Sequence, residues 1–225
     1  LSVSLSELQR LQEKLVVEEK LAAVGQLSSA IAHEIRNPVT MIASSLKMAE
    51  KHEPGSPIRL EMFNIATEEA KRLESLTTDF LAFAKTKEPD LKEVPVIETL
   101  DYVASLAKAH LIEKGLMIQV KCDPALSFVM DTDLIQQALL NLLTNAINAA
   151  ARGGEITIGA ETIDENSVLY LENEGQPVPN DLKERIFEPF FTDGAKGTGL
   201  GLPIVRNIAR AHGGDVFLAG NEDGK

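Results

Sequence analysis

Three short stretches hold residue types that do chemistry. In "AIAHEIRNPV" (30–39), His33 stands beside Glu34, with Asn37 one turn later in a helical pattern. In "NLLTNAINAA" (141–150), Asn141 and Asn145 interrupt an apolar helical run one turn apart. In "KGTGLGLPIVRN" (196–207), Gly197, Gly199 and Gly201 run into a helix that starts near Leu200.

At ~100° per residue, His33 lies roughly 200° from Ile31 and Ile35, which belong to an apolar stripe, so it faces outward. A packed core histidine is thereby disfavoured, and a solvated surface histidine stays open. A zinc site of the H-E-x-x-H kind needs a second histidine where Asn37 stands. The third option is nucleophilic chemistry, with the imidazole attacking while a neighbour such as Glu34 holds its other N–H.

Asn141 and Asn145 need polar partners on so apolar a helix. A hydrated Mg²⁺ with nucleotide phosphates would supply them, and so would a neighbouring loop. Glycines let the backbone approach a ligand, and a helix N-terminus offers N–H groups to phosphate. Lys196 adds a positive charge. The spacing is not that of the dinucleotide fingerprint, and a purely structural turn is the competing reading.

The elements that must position these groups fall into two regions. Residues 5–52 read as one long helix, with apolar positions at Leu21, Val24, Leu27, Ile31, Ile35, Val39, Ile42, Leu46 and Ala49. "HEPGSP" (52–57) ends it. A second helical pattern runs from Ile58 to Ala84 through Met62, Ala66, Ala70, Leu73, Leu76, Phe80 and Phe83. A two-helix hairpin with one apolar stripe per helix asks for a partner, most simply a second copy completing a four-helix bundle. Residues 1–86 thus form a helical-hairpin domain, and 87–95 ("KEPDLKEVP") a linker.

Beyond it the pattern is α+β. A helix at 97–114, strands in "LMIQVKC" and "LSFVM", and a helix at 132–151 come first. Alternating strands "EITIGAETI" and "SVLYLENE", a loop-rich 180–196, a helix at 200–212 and a strand "DVFLAG" follow. Residues 96–225 are expected to form a sandwich whose last strand is missing, the chain stopping at a hairpin-like "NEDGK".

The 225 residues carry a formal net charge of −12, which argues against a nucleic-acid-binding surface. Hydrophobic content is 44% with only 4% aromatic, so the core is mostly aliphatic. The single cysteine, Cys122, excludes an internal disulfide framework and fits a reducing compartment. No apolar run approaches the ~20 residues of a membrane span. The chain opens inside a helical pattern at Leu1 and reads as a fragment. It is expected to be cytoplasmic, with any membrane anchor lying upstream.

Taken together these stretches resemble the sensor histidine kinases of two-component signalling. "HEIRNP" (33–38) is similar to that family's phosphoacceptor box, "NLLTNA" (141–146) to its N box, "FEPFFT" (187–192) to its F box and "GTGLGL" (197–202) to its second glycine box. They occur in the family's order and spacing. "VGQLSSAIAHEIRNP" is most similar to kinases of sporulating bacilli and of the nitrogen-regulatory type.

The resemblance implies a dimerisation and phosphotransfer bundle followed by an ATP-binding sandwich of the gyrase, Hsp90 and histidine-kinase type. It implies phosphorylation of His33 from ATP, with Glu34 as base or orienting partner and Asn37 positioning water for a reverse reaction. Asn145 would hold Mg²⁺ and Asn141 would face the nucleotide. Gly197, Thr198, Gly199, Leu200 and Gly201, with Lys196, would line the phosphate site. Residues 180–196 would form a lid anchored by Phe187 and Phe190. The implied partners are a second copy, a response regulator receiver domain and a small regulatory protein on the bundle.

The sequence departs from the family at "NEGQP" (173–177). Asn173 stands where the family's adenine-reading Asp is expected, followed by Gly175, and Pro177 replaces a glycine. Asn148 stands where many members carry Lys or Arg. Two alternatives therefore remain open: a dimeric pseudokinase or scaffold that binds a regulator without using ATP, and an ATPase without phosphotransfer.

Overall fold

The computed structural model describes residues 31–84, 88–175, 177–192 and 197–219. The expected helical turns before residue 31, and Lys196, lie outside the described residues. The chain divides into two compact units, Leu1–Lys85 and Thr86–Lys225.

The first unit is a helical hairpin. Helix α1 covers 31–49, and α2 covers Pro57–Ala84. Gly55, at φ +83°, turns the chain between them. Arg59 on α2 donates through Nη1 to the carbonyl of His52 at 3.0 Å and closes the turn. Buried positions are Pro38, Ser45 and Ala49 on α1, and Ala66 and Leu76 on α2. The α1 stripe expected from sequence is only partly the buried face: Val39 is 47% and Leu46 41% exposed in the single chain. Two helices pack along a narrow seam, and the remainder of a wide apolar stripe stays outside it. Ile58, Leu60, Phe63 and Leu81 are exposed on α2 as well.

In the second unit, β1 (Lys92–Pro95) leads into α3 (Val96–Lys114). Then come β2 (Met117–Lys121), β3 (Ser127–Met130) and α4 (Thr132–Ala149). β4 (Glu155–Ile163) and β5 (Asn166–Asn173) form a hairpin. A 3-10 turn at Arg185–Phe187 and α5 (Gly201–Ala211) complete the unit. β1 pairs antiparallel with β3, so residues 92–95, read from sequence as linker, belong to a ladder. The Val-Pro pair there is extended backbone, and the residue before a proline favours that conformation. A second sheet has the order β2-β4-β5, parallel between β2 and β4 and antiparallel between β4 and β5.

Helices α3 and α4 pack on one another, α3 against β2, and α4 against β5 and α5. Val96, Leu100, Val103, Ala107 and Leu111 recur at helical spacing and supply the buried face of α3. Gly115 ends that helix at φ +67°, where a Cβ would be strained. The Asp131 carboxylate caps α4 by accepting from the Leu134 N–H at 3.1 Å, and its other oxygen accepts from the Asp90 N–H at 2.9 Å. Leu139, Leu143, Ile156, Ile158 and Leu200 form the centre of the core.

Two sequence expectations are corrected here. β4 is buried on both faces from Ile156 to Ala160 instead of alternating, because it is the middle strand and the Tyr170 ring lies over Gly159. Of the strand expected in "DVFLAG" (215–220), the described residues 215–219 make no ladder, and Phe217 is 79% exposed. A β-propensity run without a strand alongside has no hydrogen-bonding partner to fix it.

Candidate functional site

On α1, His33 and Asn37 are exposed and Glu34 is half-buried. The outward placement of His33 follows from the stripe geometry. The Glu34 carboxylate reaches across the hairpin to the Arg72 guanidinium on α2, with Oε2 and Nη2 3.6 Å apart. Nothing in the sequence singled out Arg72. It sits in a charged stretch, "EEAKRLE", whose members look alike without the second helix beside them.

The second cluster is organised around α4. Asn141 is half-buried and donates through Nδ2 to the Gly201 carbonyl at 3.4 Å. Asn145, one turn on, is exposed. A Cβ built on Gly201 would lie 3.8 Å from Asn145 Nδ2 and 3.9 Å from Asn141 Cβ, so the first residue of α5 faces both amides. The α5 N-terminus has no side-chain cap at Leu200 and no acidic residue in its first turn. Among the described residues its positive dipole end meets no acidic side chain of its own first turn, an arrangement that suits an anion.

Thr198 and Gly199 lead into that helix, half-buried, and Gly197 is exposed. Thr198 Oγ1 accepts from the Leu200 N–H at 3.3 Å. Gly199 has φ +66°, and its carbonyl accepts from the Phe190 N–H at 2.9 Å. Phe187 is buried, with the Arg206 guanidinium 5.3 Å from its ring centre. Arg206 also lies 3.7 Å from Glu184 and 3.2 Å from Asp215. The Val216 N–H, with Arg210 and Arg206, holds the Asp215 carboxyl below its usual range. Sequence reasoning missed Arg206, whose partners are distant in the chain.

Asn173 is half-buried at the end of β5. A Cβ on Gly175 would meet the Ala149 carbonyl at 2.9 Å and Asn173 Nδ2 at 3.0 Å, which places both residues at the C-terminal end of α4. Asn148 is exposed, and its Oδ1 accepts from Lys114 Nζ at 3.0 Å. Lys114 also donates to the Ile147 carbonyl at 2.9 Å, so it closes α4 from α3. The structure thus gathers Asn141, Asn145 and Gly201 directly, and sets Asn173 and Gly175 at the far end of the same helix. Among the described residues no cluster of three or more His, Cys, Asp or Glu side chains forms a metal cage. An ion here would rely on amide oxygens and on a ligand's own phosphates.

One unit thus carries an exposed imidazole on a helical hairpin, and the other an α/β fold with two amides at a helix N-terminus. Residues 23–89 match the His Kinase A (phospho-acceptor) domain. Residues 130–225 match the Histidine kinase-, DNA gyrase B-, and HSP90-like ATPase domain. Sensor histidine kinase ZraS of Escherichia coli (strain K12) is 30% identical over 215 residues, 95% of this chain and 46% of that protein. Sporulation kinase E of Bacillus subtilis (strain 168) is 32% identical over 222 residues, 98% of this chain and 30% of that protein. The structure of histidine kinase ThkA in complex with response regulator protein TrrA superposes with a TM-score of 0.82 at 31% identity, covering 97% of this chain and 64% of that one. The catalytic domain of ThkA alone is 33% identical with a TM-score of 0.56, covering 60% of this chain and 90% of that one. The chain belongs to the sensor histidine kinase family. It spans less than half the length of these curated relatives. No helix among the described residues is long and apolar enough to cross a membrane.

Proposed function

We propose that this chain is the kinase core of a two-component system: ATP phosphorylates His33, and the phosphoryl group passes to an aspartate of a response regulator. The observation that carries the reading is that one chain holds both an exposed His-Glu pair in a phospho-acceptor domain and an uncapped helix N-terminus facing two asparagines in an ATPase domain.

In this reading His33 Nε2 attacks the γ-phosphorus of ATP. The N–P bond forms as the bond to the bridging oxygen breaks, and ADP leaves. Positive charge develops on the ring, and the Glu34 carboxylate accepts the Nδ1–H and takes its proton. Gly197, Thr198, Gly199, Leu200 and Gly201 receive the phosphates at the α5 N-terminus, with Lys196 as counter-charge. Asn141 faces the nucleotide. Asn145 would hold Mg²⁺ through its amide oxygen, and the ion would neutralise phosphate charge. Asn173, with Gly175, reads the adenine, and Asn148 lies beside the base. Asn37 orients water when the phosphoryl group is hydrolysed in reverse.

The partners follow from the same reading. The first is a second copy, joined through residues 1–86 in a four-helix bundle. The second is a receiver domain docking on that bundle; support comes from ThkA, whose structure is in complex with response regulator protein TrrA. A small regulatory protein would share that surface. In this reading the chain works in the cytoplasm. A link to sporulation rests on the Bacillus relatives.

Incubation with γ-labelled ATP, followed by mapping of acid-labile, base-stable label to His33, tests the proposal. Asn173 favours a second reading, a pseudokinase that binds a regulator through the bundle without using ATP. Absence of both ATP binding and label would select it.

A further inference from the structure

Helix α1 has a weak point beside His33. Pro38 is buried within the helix and carries no N–H, so the carbonyl one turn back, that of Glu34, loses its intrahelical donor. The helix nevertheless runs unbroken through 31–49. The same residue, Glu34, is the one tied to the second helix, through the Arg72 guanidinium at 3.6 Å. The backbone tether is missing where a side-chain tether across the hairpin exists. Stability alone does not explain the pair. Both side chains are substantially exposed, 46% for Arg72 and 36% for Glu34, and exposed ion pairs contribute little to folding. The neighbouring lysine on α2, Lys71, pairs with Glu68 of its own helix, whereas Arg72 pairs across to α1.

We infer that Arg72 is a positioning residue for phosphorylation of His33: its guanidinium restricts the rotamers of the Glu34 carboxylate, on the residue next to His33, where Pro38 leaves the Glu34 carbonyl without its helical donor. The inference rests on the reading of Glu34 as the base given above. An unfixed glutamate samples several rotamers, and only some of them put a carboxylate oxygen on the Nδ1–H. Holding it lowers the entropic cost of reaching the reactive geometry. Arg72 touches neither ATP nor His33 in this scheme, so it acts on turnover and not on nucleotide affinity.

A double-mutant cycle on the full chain tests this, with the initial rate of His33 labelling and the KM for ATP as readouts. Glu34→Gln is expected to slow labelling by about 10²-fold or more, the usual contribution of a general base. Arg72→Gln, which keeps a polar side chain on a half-exposed helix face, is expected to slow it by roughly tenfold with KM for ATP unchanged. Arg72→Lys, which keeps the charge, is expected to recover most of the rate. In the Glu34→Gln background, Arg72→Gln is expected to change the rate less than about twofold, because its partner is gone. If Arg72→Gln slows labelling equally in both backgrounds, or raises KM instead, Arg72 is structural and the inference fails. If Glu34→Gln slows labelling and Arg72→Gln does not, the inference alone fails. Normal labelling in Glu34→Gln removes the base reading and the inference with it.

Discussion

Phe190 and Gly199 hold each other across a loop: the Phe190 N–H donates to the Gly199 carbonyl at 2.9 Å, and both residues sit at positive φ, +64° and +66°. A Cβ on Gly199 would come within 2.6 Å of the Phe190 backbone. The contact brings "FEPFFT" to the start of α5, the proposed phosphate site. A non-glycine residue at φ +64° stores strain, and strain of this kind gathers at functional sites.

Gly199→Ala is therefore expected to weaken ATP binding by at least tenfold in calorimetry. Gly213→Ala is the control. Gly213 is also left-handed, at φ +80°, but a Cβ there meets nothing within 4 Å. It carries only the roughly 1–2 kcal/mol conformational penalty. Equal effects of the two variants on binding would show that the Phe190 contact is incidental.

His33→Ala should abolish acid-labile labelling while leaving ATP affinity unchanged, because acceptor and nucleotide site lie in separate units. Label persisting on the variant would point to His52, His110 or His212. Of these His212 is already engaged: its Nε2 accepts from the Asp131 N–H at 3.0 Å, and its Nδ1 donates to the Ile208 carbonyl at 2.8 Å.

Asn145→Ala should abolish Mg²⁺-dependent labelling, since Asn145 is the exposed amide against the α5 N-terminus. Mixed with a variant lacking His33 but intact at Asn145, its own His33 should still accept phosphate if transfer runs between subunits. Normal labelling by Asn145→Ala alone would remove the metal assignment.

Asn173→Asp should tighten ATP binding. A neutral hydrogen bond to the adenine amino group contributes ~0.5–1.5 kcal/mol and a charged one ~1.5–3. The difference of about 1 kcal/mol corresponds to roughly fivefold in Kd. Calorimetry at fixed Mg²⁺ decides it, and an unchanged Kd would mean that adenine is read elsewhere, at Glu172 or Glu174.

Light scattering at micromolar concentration should give a dimer, because Val39, Leu46, Met48 and Phe63 leave apolar surface uncovered on the hairpin. Leu46→Glu should shift the population toward monomer. A monodisperse monomer in the unaltered chain would sink the bundle.

The legible part of this fold was what local pattern encodes. The strand at 155–163 and the helix ending at Lys114 stand where the local sequence pattern placed them. The candidate site was visible as motif residues, because glycines and asparagines in apolar runs stand out one by one. What stayed hidden was pairing between distant segments. The Glu34–Arg72 ion pair, the Lys114 bond to Asn148 and the ladder formed by 92–95 each need a partner far along the chain. A charge or a short Val-Pro stretch carries no sign of which partner it will meet.

The parallel pairing of β2 with β4 also bears on how the chain folds as it is made. Met117 finds its partner at Glu155 only after β3 and α4 have been synthesised. At about 5–20 residues per second, β2 waits on the order of seconds on the ribosome with its ladder unfilled. The helical hairpin, built from contacts between adjacent helices, has no such wait and closes early. The hairpin thus forms before the α/β unit, and β4 is the strand whose emergence lets the β2-β4-β5 sheet assemble.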